Sequence, residues 1–259
     1  ANATASGVWT SSNTAVATID ASGVVTGVAA GSTTITYTVT TNGCTANAQA
    51  VVNVNALPTL AAIGGTMNAC IGSSTILTNT TSGGVWTTSN AAVATVNTIT
   101  GNVTGVTAGT ATITYTYTNS NGCTSAVTTT VTINALPVVA AITGTTSVCE
   151  GATTTLASTT TGGVWSTANT ATATINASTG VVTGVAAGTT TMTYTVTNAN
   201  GCTSSVSTAL VVNAIPQVAA ISGTTEVCVG LTTALANATA SGVWTSSNTC
   251  LLYTSPSPR

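Results

Sequence analysis

Charged residues are nearly absent from this sequence. It has no His, no Lys and no Phe, and charged residues make up 2% of its 259 residues, whereas they make up about a quarter of a typical globular chain. The charged residues are Asp20, Glu150, Glu226 and Arg259. Without positive charge the chain cannot neutralise a run of phosphates, and this argues against nucleic acid and anionic membranes as partners.

Long apolar runs are absent as well. Thr, Ser, Asn and Gly interrupt the apolar residues throughout. The longest apolar stretches are short, such as VVAAI at 138–142. A membrane-spanning helix needs about 20 consecutive apolar residues. The sequence therefore predicts no membrane insertion, and a surface built from hydroxyl and amide groups instead of charge.

What the sequence does contain is a repeat of about 79 residues. Tryptophans recur at spacings of 77, 79 and 79, and one proline series and two cysteine series keep the 79-residue step. The repeated positions are Trp9, Trp86, Trp165 and Trp244; Pro58, Pro137 and Pro216; Cys44, Cys123 and Cys202; and Cys70, Cys149 and Cys228. A unit of this length is large enough to fold as a small domain and too long for one turn of a solenoid.

The repeat predicts four segments. Residues 57–135 and 136–214 each span a complete unit. We expect residues 1–56 to be a partial unit that lacks its N-terminal strands, and residues 215–249 to be a partial unit that lacks its C-terminal strands.

Within a unit the apolar residues alternate with threonines. In STTITYTVT, residues 32–40, Ile35, Tyr37 and Val39 alternate with Thr, and similar runs occupy 110–118 and 189–197. This period of two predicts strands with one buried face. Asn-Gly before each of the cysteines of the first series predicts a hairpin there. About seven short strands per unit, with no helical periodicity, predict an all-β fold of tandem sandwiches, in which the four tryptophans anchor the cores.

The run from Val8 to Thr40 closely resembles the bacterial immunoglobulin-like repeat family, group 2. It carries W-T-S-S-N, A-T-I, G-V-V-T-G and A-G-S-T-T-I in that order, which match the signatures of the family, and the resemblance recurs at Val85 to Thr118 and Val164 to Thr197. The resemblance implies immunoglobulin-like sandwiches of the kind found in stalks of surface proteins and adhesins and as accessory modules of secreted enzymes. The cysteine pair in each unit is a departure from many members of the family.

The seven cysteines predict disulfides and therefore a location outside the cytoplasm. Within one unit Cys70 would bond with Cys123, and within the next Cys149 would bond with Cys202, each pair closing a loop of 53 residues. Such a loop could stabilise a unit by roughly 4 kcal/mol.

Two of the cysteines have no mate under this scheme. Cys44 and Cys228 would be left unpaired, because their mates would lie beyond the two ends of the sequence. The competing pairing, Cys44 with Cys70, would join neighbouring units to each other.

Catalytic and metal-binding residues are missing from the inventory. Without His or Lys there is no conventional base for a Ser or Cys nucleophile. Glu150 and Glu226 lie in different units and cannot flank one glycosidic bond. Three scattered acids cannot form a calcium site, and the cysteines lack the close spacing of zinc ligands. We therefore predict no catalytic residue, no cofactor, no metal site and no enzymatic activity for this stretch.

The leading functional hypothesis is a structural spacer or stalk on a bacterial surface or in a secreted protein. Its units would be joined by short proline-containing linkers, NALP at 55–58 and 134–137 and NAIP at 213–216. The alternative is a ligand-binding or carbohydrate-binding adhesin whose partner is a cell-surface glycan or protein, with Tyr117 as the best exposed aromatic candidate. A third possibility is an accessory module of a secreted enzyme. Thr-x-Thr ranks also match ice, but one sandwich supplies too few adjacent Thr strands for an ice-binding face.

The last ten residues, CLLYTSPSPR at 250–259, break the repeat. Residues 1–14 are identical to residues 236–249, so the repeat predicts a continuation close to AVATID at this point. The ten residues instead resemble the in-frame translation of a transposase-type sequencing adapter, since TGT CTC TTA TAC ACA TCT CCG AGC CCA CGA encodes them. We expect them to be an artefact, which would remove Cys250 and Arg259 from the natural composition.

Overall fold

The computed structural model of the chain describes residues 7–247, so residues 250–259, including Cys250 and Arg259, lie outside the described part. The described residues form strands and no helix, which confirms the predicted all-β fold. No helix among them is available to cross a membrane.

The first segment forms two small sheets. One sheet has the strand order β1-β4-β5 and the other pairs β2 with β3. Their strands are β1 (Val8–Ser11), β2 (Ala17–Ile19), β3 (Val25–Gly27), β4 (Gly31–Thr41) and β5 (Cys44–Val54). The turn between β4 and β5 consists of Asn42 and Gly43, both with positive φ (52° and 79°), as a two-residue turn joining twisted strands requires.

The second segment contains two sheets of four strands, with orders β10-β11-β8-β6 and β7-β13-β12-β9. Its strands are β6 (Gly64–Gly65), β7 (Asn68–Cys70), β8 (Ser74–Thr78), β9 (Val85–Thr88), β10 (Ala94–Val96), β11 (Asn102–Gly105), β12 (Gly109–Thr118) and β13 (Thr124–Asn134). Buried side chains from both sheets form one core. The segment is therefore a β-sandwich.

The third segment repeats this arrangement strand for strand, with sheet orders β14-β16-β19-β18 and β15-β21-β20-β17. Its strands are β14 (Thr143–Gly144), β15 (Ser147–Cys149), β16 (Thr153–Ala157), β17 (Val164–Thr167), β18 (Ala173–Ile175), β19 (Val181–Gly184), β20 (Gly188–Thr197) and β21 (Thr203–Asn213). A second core of buried residues lies between these two sheets.

The fourth segment forms one pair of short strands, β22 (Ser222–Gly223) and β23 (Leu235–Ala236). They correspond to β6 and β8 of the second segment. Among the described residues of this segment there is no second sheet, and its large apolar side chains are mostly exposed.

The alternating pattern of the sequence determines which face of each long strand is buried. In β12, Ala111, Ile113 and Tyr115 are buried, whereas Thr112 is exposed and the next two threonines are half-buried. The same alternation buries Thr190, Met192, Tyr194 and Val196 in β20. Strand β12 forms a hairpin with β13, and β20 pairs with β21, so a hairpin lies at each Asn-Gly turn as predicted.

The chain divides into two compact units. The first contains the residues up to Val138 together with Thr197–Ser204, and the second contains Val139–Val196 together with the residues from Ser205 onward. The turn between β20 and β21 therefore belongs to the unit that contains the first and second segments.

Candidate functional site

One asparagine organises each of the longer hairpin turns. Asn198 Oδ1 accepts hydrogen bonds from the backbone N–H of Asn200 and of Cys202, both at 3.0 Å. The backbone N–H of Asn198 also donates to the carbonyl of Cys202 at 2.9 Å. Asn119 makes the same bonds in the turn between β12 and β13. The side chain thus replaces backbone partners and fixes the turn that presents the cysteine.

The same asparagine ties its turn to the linker that precedes the segment. Asn198 Nδ2 donates to the carbonyl of Ala135 at 2.9 Å, and Asn119 Nδ2 donates to the carbonyl of Ala56 at 3.2 Å. The cysteine sulfur of each turn lies over the adjacent linker carbonyl, at 4.0 Å for Cys202 and 3.8 Å for Cys123. Each hairpin turn therefore contacts its own linker in the same way.

Strand β7 places a second cysteine beside the linker of the third segment. It pairs in parallel with the end of β13, and Cys70 is the partner of Asn134. Cys70 and Cys202, which lie 132 positions apart in sequence, form a disulfide, with their Cα atoms 5.6 Å apart. The side chain of Cys202 is fully buried. We call the disulfide, the turn Asn198–Cys202 and the linker residues 134–135 the junction.

The predicted pairing within a unit, Cys70 with Cys123, is therefore wrong. Cys70 lies beside the last residue of β13, whereas Cys123 precedes its first residue, Thr124. Eleven residues of extended strand span about 35 Å, and a disulfide needs Cα atoms within about 7 Å.

The same geometry overturns the pairing of Cys149 with Cys202. Cys149 is the partner of Asn213 at the far end of β21, whereas Cys202 precedes the first residue of that strand. The competing pair, Cys44 with Cys70, does not form either, because Cys70 bonds with Cys202. Neighbouring segments are joined by a disulfide, but through a different cysteine.

The remaining described cysteines are thiols. They are Cys44, Cys123, Cys149 and Cys228; Cys123 is half-buried and the other three are exposed. The spacing of the cysteines in the sequence does not identify the bonded pair, because Cys70 and Cys202 lie 132 positions apart and in different repeats.

The tryptophans differ from segment to segment. Trp86 and Trp165 are buried, at 3% and 6% exposure, and Trp9 is half-buried. Trp244 is 50% exposed, which contradicts its predicted role as a core anchor. The described part of its segment has only β22 and β23, so no second sheet packs against the indole.

Each of the first three tryptophans packs against a tyrosine on the buried face of an alternating strand. The ring centroids are 4.5 Å apart for Trp9–Tyr37 and 4.6 Å apart for both Trp86–Tyr115 and Trp165–Tyr194, and all three pairs are tilted. Such tilted pairs are favourable beyond the area that they bury. The pairs of the second and third segments belong to the cores of their segments, together with aliphatic side chains of both sheets.

The tyrosine hydroxyl also bonds to the loop before the tryptophan strand. Gly84 N–H donates to Tyr115 Oη at 2.8 Å, and this hydroxyl donates to the carbonyl of Thr81. A Cβ at residue 84 would lie 2.3 Å from the tyrosine ring, so only glycine fits there. Gly163 and Tyr194 repeat this contact. The glycine of the G-V-W motif is therefore required by its contact with the tyrosine.

Tyr117, the candidate ligand contact, is half-buried and packs against the core of the second segment. The nearest ring atom lies 3.9 Å from the position that a Cβ on Gly83 would occupy. Its ring is therefore partly used by the fold, and the described neighbouring aromatic residues, Trp86 and Tyr115, are buried.

Two of the acidic residues, Asp20 and Glu150, bond to the backbone of loops. Asp20 accepts hydrogen bonds from the Ser22 hydroxyl at 2.6 Å and from the backbone of Ser22 and Val24. The pKa of Asp20 lies below its usual value, chiefly because the Ser22 hydroxyl donates a hydrogen bond to the carboxylate. Glu150 accepts from the backbone N–H of Ala187 at 2.7 Å. Among residues 7–247 no group of three His, Cys, Asp or Glu side chains could hold a metal ion.

A comparison with protein families matches residues 1–52 and 73–128 to the bacterial Ig-like domain, group 2. No curated protein matches the chain.

Solved structures match over most of the chain at low identity. Domains 1–6 of the surface layer protein SbsC are 20% identical over 85% of this chain, with a TM-score of 0.28. The C-terminal 282-residue fragment of intimin, in complex with the intimin-binding domain of its translocated receptor, is 16% identical over 74% of this chain, with a TM-score of 0.26. Mouse cadherin-23 EC22–24 is 12% identical over 81% of this chain, with a TM-score of 0.26. The chain spans 37%, 60% and 86% of these structures, respectively.

Proposed function

Because residues 1–52 and 73–128 match the bacterial Ig-like domain of group 2, we propose that the chain is a structural spacer of tandem domains in a secreted or surface-anchored bacterial protein. The predicted repeats at 57–135 and 136–214 are its complete domains. The junction supports this role, since one turn donates a hydrogen bond to the linker through Asn198 and is bonded to β7, beside the same linker, through the disulfide. A disulfide also supports a location outside the cytoplasm.

The linker contact is the observation that carries the proposal. A spacer must limit the motion of one domain against the next, and a proline-containing linker alone limits it only in part. Asn198 removes further freedom by bonding Ala135, and the disulfide fixes Cys202 against the strand that pairs with Asn134.

Small-angle scattering of the oxidised chain tests the spacer. The control variant combines Cys202→Ser with six Gly-Ser residues inserted after Pro137. The spacer requires a narrower distribution of interatomic distances for the natural chain than for this control, because the control's domains are freely jointed. Identical distributions for the two proteins would reject the proposal.

The alternative is an adhesin repeat that binds a cell-surface glycan or protein. Its candidate contact, Tyr117, offers part of one ring to solvent. Binding on a glycan array that disappears in Tyr117→Ala and persists in Thr118→Ala would favour the adhesin. An accessory module of a secreted enzyme is a third candidate, and the sequence of the whole gene tests it.

A further inference from the structure

The Cys70–Cys202 disulfide changes which part of the backbone carries a pulling force. The two residues are 132 positions apart in sequence, yet their Cα atoms are 5.6 Å apart. A force applied to the two ends of the chain passes through covalent bonds, and at Cys70 it crosses the disulfide to Cys202. The backbone between them cannot be drawn out while the disulfide is intact.

Most of both cores lies inside this protected stretch of backbone. Of the strands of the second and third segments, only β6, β7 and β21 lie outside it. The largest buried side chains inside it are Leu77, Trp86, Ile113, Tyr115, Ile133, Leu156, Trp165, Met192 and Tyr194. Strands β6 and β7, through which the force enters, are held by only two and three residue pairs.

We propose that the disulfide is a mechanical clamp. Under tension the strands β6, β7 and β21 can be pulled out of their sheets, whereas the backbone from Cys70 to Cys202 cannot be extended. This inference rests on the proposed spacer role, because only a protein under load needs a clamp. Its physical content, however, is a length that can be measured independently of that role.

The disulfide keeps a large length of backbone from being extended. A fully extended residue contributes about 3.5 Å, so the 132-residue separation corresponds to about 460 Å of backbone. The disulfide therefore shortens the fully stretched chain by more than the whole extension that one complete repeat would add.

Single-molecule stretching of the full chain, tethered through its two termini, tests the clamp. We expect the oxidised chain to reach a final length about 460 Å shorter than Cys70→Ser or Cys202→Ser. The control Cys149→Ser should match the natural chain, because Cys149 is an exposed thiol. The final length counts extended residues, so it is valid even for a variant that fails to fold.

Reduction provides the same test on one molecule. A dithiol added during stretching cleaves the S–S bond to two thiols and is itself oxidised to a cyclic disulfide, and the chain should then lengthen by the same amount. Equal final lengths for the natural chain and Cys70→Ser would overturn the clamp. They would leave the spacer proposal standing, because that is decided by scattering.

A second inference comes from the two cysteines that match the bonded pair but are thiols. Cys123 lies 3.8 Å from the carbonyl of Asn55, as Cys202 lies 4.0 Å from that of Asn134. Cys149 is the strand partner of Asn213, as Cys70 is the strand partner of Asn134. Each therefore has the surroundings of one half of the disulfide.

We infer that the partner of Cys149 is the hairpin cysteine of a repeat placed directly after residue 214. Such a repeat brings its Asn-Gly-Cys turn onto the linker at 213–214, where Cys149 lies. The bond forms when both thiols give two protons and two electrons to an oxidised small-molecule disulfide, which leaves as two thiols.

An insertion tests this pairing. A second copy of residues 136–214 is placed after residue 214, the protein is oxidised with oxidised glutathione, and disulfide-linked peptic peptides are identified by mass spectrometry. We expect two bonds, Cys70–Cys202 and Cys149 with the copied Cys202. The number of thiols should not change, because the insertion adds two cysteines and the new bond uses two.

The matched control carries Ser in place of the copied Cys202. It should keep Cys70–Cys202 and have one more thiol than the insertion protein, because Cys149 then has no partner. A Cys149 that stays free in the insertion protein, a bond from Cys149 within its own repeat, or loss of Cys70–Cys202 would each overturn the inferred rule.

Discussion

Cys70 lies beside Asn134 across the parallel pair of β7 and β13, at the end of the strand that leads into the next linker. The hairpin turn of the following segment meets the same linker through Asn198. These two placements bring together cysteines that are far apart in sequence. The disulfide at the junction is therefore a consequence of strand direction.

Removing this disulfide should destabilise the chain. A closed loop spanning 132 residues contributes about 5 kcal/mol in the chain-entropy model. We expect Cys202→Ser to lower the midpoint of thermal unfolding followed by circular dichroism, and Cys149→Ser to leave it unchanged. Equal midpoints for Cys202→Ser and the natural protein would contradict the stabilising role.

The pairing of the cysteines could not be predicted from sequence spacing. The shortest loop within a unit favours Cys70 with Cys123, but spacing does not reveal that the short strand β7 runs parallel to β13. That single pairing puts Cys70 at the wrong end of β13 for Cys123. By contrast, the alternation around Tyr115 correctly predicted a strand with one buried face. That prediction needs only the two-residue period of side chains along a strand.

Asn198 should contribute through two separable sets of bonds. Asn198→Asp keeps the acceptor of the turn but loses the donor to Ala135, whereas Asn198→Ala loses both. At about 1 kcal/mol per hydrogen bond, we expect Asp to cost about 1 kcal/mol and Ala about 2–3 kcal/mol in urea unfolding. Equal losses for the two variants would show that the linker bond contributes the whole effect.

The glycine before the tryptophan strand should tolerate no side chain. In Gly84→Ala the new Cβ meets the ring of Tyr115 at 2.3 Å and the carbonyl of Thr116 at 2.7 Å. We expect a loss of about 2–3 kcal/mol, since overpacking of this kind forces the backbone to move. The control is Gly122→Ala, whose Cβ meets nothing within 4 Å and which should cost only about 1 kcal/mol for its positive φ.

Asp20 should give the first segment a weak dependence on pH. Its pKa is lowered, chiefly by the hydroxyl of Ser22, so the carboxylate is favoured in the folded state. The stabilisation is present above the unfolded pKa of about 3.9 and is lost as the pH falls through the lower folded pKa. An NMR titration of the carboxyl should show a midpoint below that of an unfolded peptide, and Ser22→Ala should raise it. An unchanged midpoint in Ser22→Ala would contradict the assigned cause.

The tryptophans should separate the complete sandwiches from the fourth segment. Trp86 is 3% exposed and packs on Tyr115 inside a core closed by two sheets, whereas Trp244 is 50% exposed beside a single pair of strands. Truncating a buried tryptophan costs about 3–5 kcal/mol, because a cavity remains where the ring was. Trp86→Ala should therefore lower the unfolding midpoint strongly, and Trp244→Ala should change it little. A comparable loss for Trp244→Ala would mean that its indole is buried in solution by a surface that completes the sandwich.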